Sequence, residues 1–438
     1  MSEYQDIVLR AIETAQKQGA QHARVGLHRS QSVTMTWRKA KIENMTSSGE
    51  AALVLELFVD GRFGQYYTSD TRDDSVRAFI ERCVAMTRLL EEDPARTLAD
   101  PARYADRFTD DLDIYDPSAE TMTPNDLAAS CKELEELALA HSDVPVFDAT
   151  TYANVYMGQS CKVTTNGFSG EERSTVFSRQ IEMVLKDGDK KPSWDAYSYR
   201  RHLADLRSSK DIVDECARFG AFMIGQKKLA SGNRTLIFDR RVATQMVKKY
   251  LNPLTGMSLI LKNSYFEGKQ DQKVASDLFD LHDEPLMKRG LGSTSYDSEG
   301  VSLHPMTIFD KGTLKQFFIN TYAGNKLGMA PTTGSYSALV LTPGKRSLDE
   351  MIADVKDGIY VLGLLGGNQD NVRGDFSHGI VGVAIENGKL TTPVSEMNIT
   401  GNHTDLWQRL VEVGNDPSLD STHRIPSLRI DDVSVSGT

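Results

Sequence analysis

The sequence is poor in the features that most often announce a function. Only four cysteines occur in 438 residues, Cys83, Cys131, Cys161 and Cys216, all in the first half and none in a CxxC pair. A disulfide scaffold is thereby excluded, and a reducing compartment is expected. No apolar stretch approaches the ~18 residues that would span a bilayer. The start, MSEYQDIVLRAIETAQKQG, carries acids early and lacks the basic segment and apolar run of a signal peptide. These absences predict a cytoplasmic protein without a membrane association. Positive charge is also short: 50 basic against 61 acidic residues leave −11. A chain that holds nucleic acid by its phosphates needs a basic face, so direct nucleic-acid binding is not expected.

What remains is an ordinary globular composition, 39% apolar and 25% charged, long enough for two or three domains. Ser2 to Lys17 has the apolar spacing of a helix, with Gly19 as a stop. RVGLHR, SVTMTWR and AALVLELFV read as three strands, and Asp60-Gly61 turns the last into RFGQYY. Asp73 to Leu90 is helical. A Pro- and Asp-rich connector covers Asp93 to Pro124, where Thr123 caps a further helix with Pro124 at its first position. Asp148 to Tyr199 alternates like strands, with turns at Asn166-Gly167 and Asp187-Gly188. Ser208 to Leu229 reads as one long helix. Ser231–Asn233 is the expected domain boundary.

The second half begins with strand RTLIFD and a helix from Arg241 to Tyr250. Hairpins are expected around Asp310-Lys311-Gly312 and Asn387-Gly388. A strand is expected from VSLHP through MTIF. Ser347 and Glu350 form a capping box for a helix ending at Gly358, followed by the short buried strand IYVLGLLG. The reading is an α+β fold of two domains with mixed or antiparallel sheets and flanking helices. An N-terminal domain covers 1–230, in sub-parts of about 1–92 and 123–230. A C-terminal domain covers 231–438.

Chemical motifs are scarce. The nine histidines include no two at four- or five-residue spacing, so no helix offers a His pair to one metal ion. His282-Asp283-Glu284 resembles a ligand cluster, but acids beside a loop histidine are more often solvated. No GxSxG elbow occurs, and GLLGGN lacks the Lys and Ser/Thr of a phosphate loop. Asp297-Ser298-Glu299-Gly300 could supply an acid/base pair, yet a polar turn is the simpler reading. Gly366–Leu390, GGNQDNVRGDFSHGIVGVAIENGKL, combines a glycine-rich loop carrying His378 with a hairpin.

Several segments together resemble one family. RGDFSHGIVGVAIENGKLTTPVSEMNITGN, VEVGND, RIPSLRIDDVSVSG, YDSEGVSLHPMTIFDKGTLKQFFINTYAGNKLG and the N-terminal DGRFG occur in the order of the TldD/PmbA family. The resemblance implies metallopeptidases of unfolded or modified peptides, also described as modulators of DNA gyrase. One branch carries HExxxH on a helix and a late Cys, which together would hold zinc while the Glu acts as base. Aligning Leu254–Gly256 with the Leu-Glu-Gly after that helix places Val247-Lys248-Lys249-Tyr250-Leu251-Asn252 where HExxxH would stand. Ser421-Thr422-His423 falls near the late Cys. The chain thus resembles the PmbA/TldE branch, with no metal ligands and no catalytic residue of its own.

The resemblance implies no cofactor in this chain, with zinc confined to an HExxxH partner of the TldD type. A peptide substrate and a homodimer of the isolated chain are further expectations. Gly374, Asp375, Ser377, His378 and Gly379 are the candidate substrate- or partner-contacting loop, beside a strand edge that could take a peptide. The alternatives are an independent peptide-binding protein, a hydrolase built on Asp297, Glu299 and His378, or a modulator of gyrase or toxin systems.

Overall fold

A computed structural model describes residues 3–437. Helix α1 spans Glu3–Lys17; Ser2, read as its start, lies outside the described residues. Six antiparallel strands follow in the order β3-β2-β1-β4-β5-β6: β1 His22–Arg38, β2 Lys41–Val59, β3 Arg62–Thr68, β4 Val146–Thr164, β5 Ser169–Leu185 and β6 Ser193–Arg200. RVGLHR and SVTMTWR, read as two strands, are one continuous strand of 17 residues. The polar Arg29–Ser32 stretch that suggested a break is carried by full pairing to β2 and β4.

Period-two alternation sends one set of side chains to a single face. Val25, Leu27, Leu53, Leu55, Cys161 and Val163 bury there under α1 and α2 (Asp73–Thr87). Ile181, Met183 and Leu185 bury under α3 (Pro124–Leu139) and α4 (Ser209–Gly220). The Thr123 cap with Pro124 at the first position and the Asp60-Gly61 turn are present as read. Helix α4 is shorter than the predicted Ser208–Leu229. A 3-10 turn follows it, and Gly225 then takes φ +67 while donating its N–H to the Asp187 carboxylate.

Strand β7 (Gly232–Phe238) begins the second half, and helix α5 (Arg240–Leu251) follows it. A small antiparallel sheet is ordered β10-β9-β8-β11, from β8 Leu281–Asp283, β9 Met306–Asp310, β10 Thr313–Leu314 and β11 Leu339–Leu341. The strand read from VSLHP therefore starts only at Met306. The Ser347–Glu350 capping box forms, but its helix stops at Ala353 rather than Gly358. Asp357 already opens β12 (Asp357–Gln369), whose first residues pair in parallel with β7. Strands β13 (Asp375–Glu386), β14 (Lys389–Asn402), β15 (Leu410–Val413) and β16 (Leu428–Ser436) complete the third sheet. Asn387 and Gly388 both take positive φ, as the β13–β14 turn requires. A further pairing of β14 with β16 closes β14-β13-β12-β7-β16 into a ring.

The polar face of the first sheet meets the second half through cations that reach backbone carbonyls. Arg24 donates to Glu299 O, and Lys162 donates to Asp297 O and Ser298 O. Arg201 donates to Gly290 O and Leu291 O, and Arg103 to Thr332 O. A carboxylate does the converse: Asp420 accepts from Ser198 Oγ, the Tyr199 amide and Arg200. Such charge-assisted bonds are stronger than neutral ones.

Burial, and then Arg24, pull the Lys162 pKa down to about 8. The unfolded chain would keep that proton up to its ordinary value, so the Lys162 contribution to stability rises with pH between about 8 and 10.5. The full shift is worth at most about 3 kcal/mol. Paired urea titrations of wild type and Lys162→Met should therefore diverge in favour of wild type from pH 8 to 10. Curves that stay parallel would contradict this assignment.

Candidate functional site

Helix α5 begins where Asp239 accepts the Arg241 amide, and Tyr360 and Arg241 hold the same buried carboxylate. Apolar side chains recur at Val242, Ala243, Met246, Val247, Tyr250 and Leu251, the helical spacing, and all six are buried. That burial fixes the rotation of the helix. Val247 is wholly inside the core, while Lys248 is exposed and Lys249 half-buried. Asn252 is the C-cap, with Pro253 after it. The positions aligned with HExxxH thus present a hydrocarbon, an ammonium and a helix end.

Histidines gather around this helix. His423 is pushed down to about 4 by burial, then by Lys248 and Arg424. Its Nδ1 accepts the Leu339 amide, and Tyr336 packs edge-on against the ring. His403 is pushed down to about 3 by burial, then by His378 and Lys249. Its Nδ1 accepts from Trp407 Nε1, and its Nε2 has no partner among the described residues. His378 is lowered by burial and by Lys249, and stacks on Phe376, which also contacts His403. Gln369 donates to Lys249 O, leaving its own carbonyl oxygen unpartnered among the described residues. All three imidazoles are therefore neutral near pH 7 beside two lysines. Among the described residues no three His, Cys, Asp or Glu side chains converge as a metal cluster, and the Val247–Lys248–Asn252 set does not fit zinc.

The candidate loop residues are only partly in a loop. Gly374 sits in the turn with φ +89, but Asp375, Ser377, His378 and Gly379 lie on β13. Alternation splits them: His378 is buried, Asp375 is exposed, and Ser377 and Gly379 are half-buried. Asp375 accepts from Asn402 Nδ2. Strand β13 is flanked by β12 and β14, so it offers no free edge. The open edge is on β12, which pairs with β7 only as far as Val361 and continues to Gln369 with Leu365 exposed. A strand edge beside the loop was expected, but IYVLGLLG read as a short strand did not show that it lies on a β12 running on to Gln369.

The other candidate sets do not assemble. Asp297 Oδ1 accepts the Glu299 and Val301 amides, closing a turn, and Glu299 accepts the Thr321 amide and hydroxyl. Asp297 stands against Lys162 of β4 and Glu299 against Arg24 of β1, whereas His378 faces Lys249. Asp283 is buried rather than solvated, its carboxylate taking the Ser337 and Ala338 amides. His282 bonds Thr307 instead of joining it.

Residues 231–437 match the model for the PmbA/TldA metallopeptidase C-terminal domain, and 23–87 match PmbA/TldA metallopeptidase domain 1. The chain is 25% identical to the metalloprotease PmbA of Escherichia coli O157:H7, over 95% of this chain and 92% of that one. It is 26% identical to a PmbA homologue of Haemophilus influenzae, over 98% and 94%. The crystal structure of a Bacteroides thetaiotaomicron protein described as a candidate modulator of DNA gyrase superposes with a TM-score of 0.96. That pair shares 36% identity and full coverage of both chains. TldE from Thermococcus kodakarensis shares the fold, with a TM-score of 0.86 at 20% identity over 98% of this chain and 100% of that one.

Gly367 controls where His378 lies. Its φ is +136, and an added Cβ would sit 2.1 Å from His378 Nδ1 and 2.2 Å from Ser377 O. Gly367→Ala should cost at least about 2 kcal/mol in urea unfolding. Gly225→Ala also has positive φ but meets nothing within 4 Å, and should cost about 1 kcal/mol. Equal costs would show that the His378 contact carries no load.

Proposed function

Given that this chain belongs to the PmbA/TldD metallopeptidase family, we propose that it is a non-metal-binding subunit of a TldD/TldE-type peptidase acting on unfolded or modified peptides. The observation that carries the reading is α5. Its buried Val247, outward Lys248 and C-capping Asn252 stand where the resemblance puts two zinc ligands and the general base. A hydrocarbon cannot ligate a metal, and an ammonium cannot accept a proton from water. Relatives named as metalloproteases support the peptidase setting.

In this reading the zinc and its water belong to an HExxxH homologue, and the present chain shapes the peptide path. The open edge of β12 beyond Val361 supplies backbone donors and acceptors for an extended peptide. Lys249, whose carbonyl accepts from Gln369 at the end of that strand, brings an ammonium beside it. The same reading places the chain in the cytoplasm and lets it pair with itself when the homologue is absent. The open edge also favours a second reading, a peptide-binding protein that works without that partner. A gyrase link made through DNA is disfavoured by the net charge of −11.

Peptide cleavage by the isolated chain, by an HExxxH homologue and by their mixture distinguishes these readings. The isolated chain should be inactive on an unfolded peptide, and the mixture should exceed the homologue alone. Chelator-insensitive cleavage by the isolated chain would overturn the subunit reading. A peptide bound by the isolated chain, with no gain in the mixture, would favour the second.

A further inference from the structure

The apolar face of the first sheet is not covered evenly. Helices α1 and α2 pack over one end and α3 and α4 over the other, and the strip between them is open. A groove of about 530 Å³ occupies that strip, between Tyr4 of α1 and the Tyr115–Glu120 segment of the connector. Sheet register fixes its floor. Ala51 of β2 pairs with Arg29 of β1, Arg29 with Gln159 of β4, and Gln159 with Arg173 of β5. These residues therefore form one row on one face. Arg29 and Arg173 are two strands apart, ~10 Å, with the Gln159 carboxamide between them.

Each guanidinium lies over a tyrosine ring. Arg29 lies 4.8 Å from the Tyr4 ring centroid and Arg173 lies 3.9 Å from that of Tyr115. Stacking of this kind leaves the edge N–H groups free to meet an anion. Arg173 donates to Glu120. Arg29 donates to Thr71 Oγ1 and has no carboxylate partner among the described residues. Gln159 donates to Glu171. Glu171 shares the face of Arg173, whereas Glu50 is on the opposite parity of β2, and alternation turns its side chain to the other face. Among the described residues the face within the groove thus sets the guanidinium groups of Arg29 and Arg173 against the carboxylates of Glu120 and Glu171, and Arg29 is the cation that neither carboxylate holds. Gly49 and Ala51 keep the β2 side low, and the tyrosine rings supply apolar walls.

We propose that this groove binds a carboxylate-bearing ligand, with the carboxylate on Arg29 between the tyrosine walls and the ligand body along the Gln159–Arg173 row. The ligand class is shared by acidic peptide segments and small organic acids. The inference needs neither a partner subunit nor peptide cleavage, so it stands or falls apart from the proposed function.

Isothermal titration of the full chain tests it with two peptides, acetyl-Ala-Ala-Glu-Ala-Ala-amide and its Gln counterpart, and with succinate as a third probe. Wild type should bind the Glu peptide or succinate, and should prefer the Glu peptide over the Gln peptide at least about tenfold. The peptide arm against the succinate arm identifies which source the groove takes. Arg29→Met should abolish binding or the preference, and Arg29→Lys should retain part of it. Thermal unfolding of each variant checks that loss of binding is not loss of fold. Because Arg29→Lys keeps the charge, the test survives if the Met variant is unstable. Binding by Arg29→Met equal to wild type, or no binding of either carboxylate probe by folded wild type, would overturn the proposal.

Discussion

The rotation of α5 about its own axis is the constraint on which the candidate site depends. Six buried apolar side chains and the Asp239 carboxylate, gripped by Tyr360 and Arg241, leave that helix one orientation. In that orientation Val247 must be inside and Lys248 outside. Turning Lys248 inward would strand an ammonium in an apolar core, which costs several kcal/mol. The neighbouring histidines follow from the same packing. Burial lowers His378, His403 and His423, and the two lysines lower them further, so the region carries neutral imidazoles beside ammonium groups.

A second constraint joins the two halves. Beside an apolar cluster in which Phe219 and Met223 pack on Ile237 and Tyr360, their contact uses cations that end on backbone carbonyls, from Arg24, Lys162, Arg201 and Arg103, and Asp420, which gathers donors from β6. Asp420 lies three residues before His423. The first sheet therefore positions the segment that carries His423 beside α5. The apolar part tolerates sliding, and the directional bonds to carbonyls set one register. The polar face of the first sheet is used for this docking, and its other face is left to the helices and the Arg29 groove.

Local signals in the sequence were read well. Asp60-Gly61 and Asn387-Gly388 have the positive φ values that their turns demand, and the Thr123 and Ser347 boxes cap the helices they were expected to cap. The α+β class followed from the same periodicities. The errors arose where tertiary pairing overrode local chemistry. Ser30, Gln31 and Ser32 look like a break but are paired on both sides, so β1 continues through them. His378 looked like a loop residue because glycines surround it, yet its neighbours on β12 and β14 make it a central strand position. The Arg29–Gln159–Arg173 row could not be seen at all, since its members are far apart in sequence and meet only through register. A strand edge was expected near the loop, but which strand carries it was hidden for a similar reason: where β7 stops pairing with β12 is a property of the sheet.

The account rests most heavily on α5 offering no ligand set, and zinc content measures that directly. The isolated chain, after mild dialysis, should contain no stoichiometric zinc by elemental analysis, while a copurified HExxxH homologue retains its own. About one tightly held zinc per isolated chain, lost on mutating His378 or His282, would contradict the account and place a metal centre in this chain.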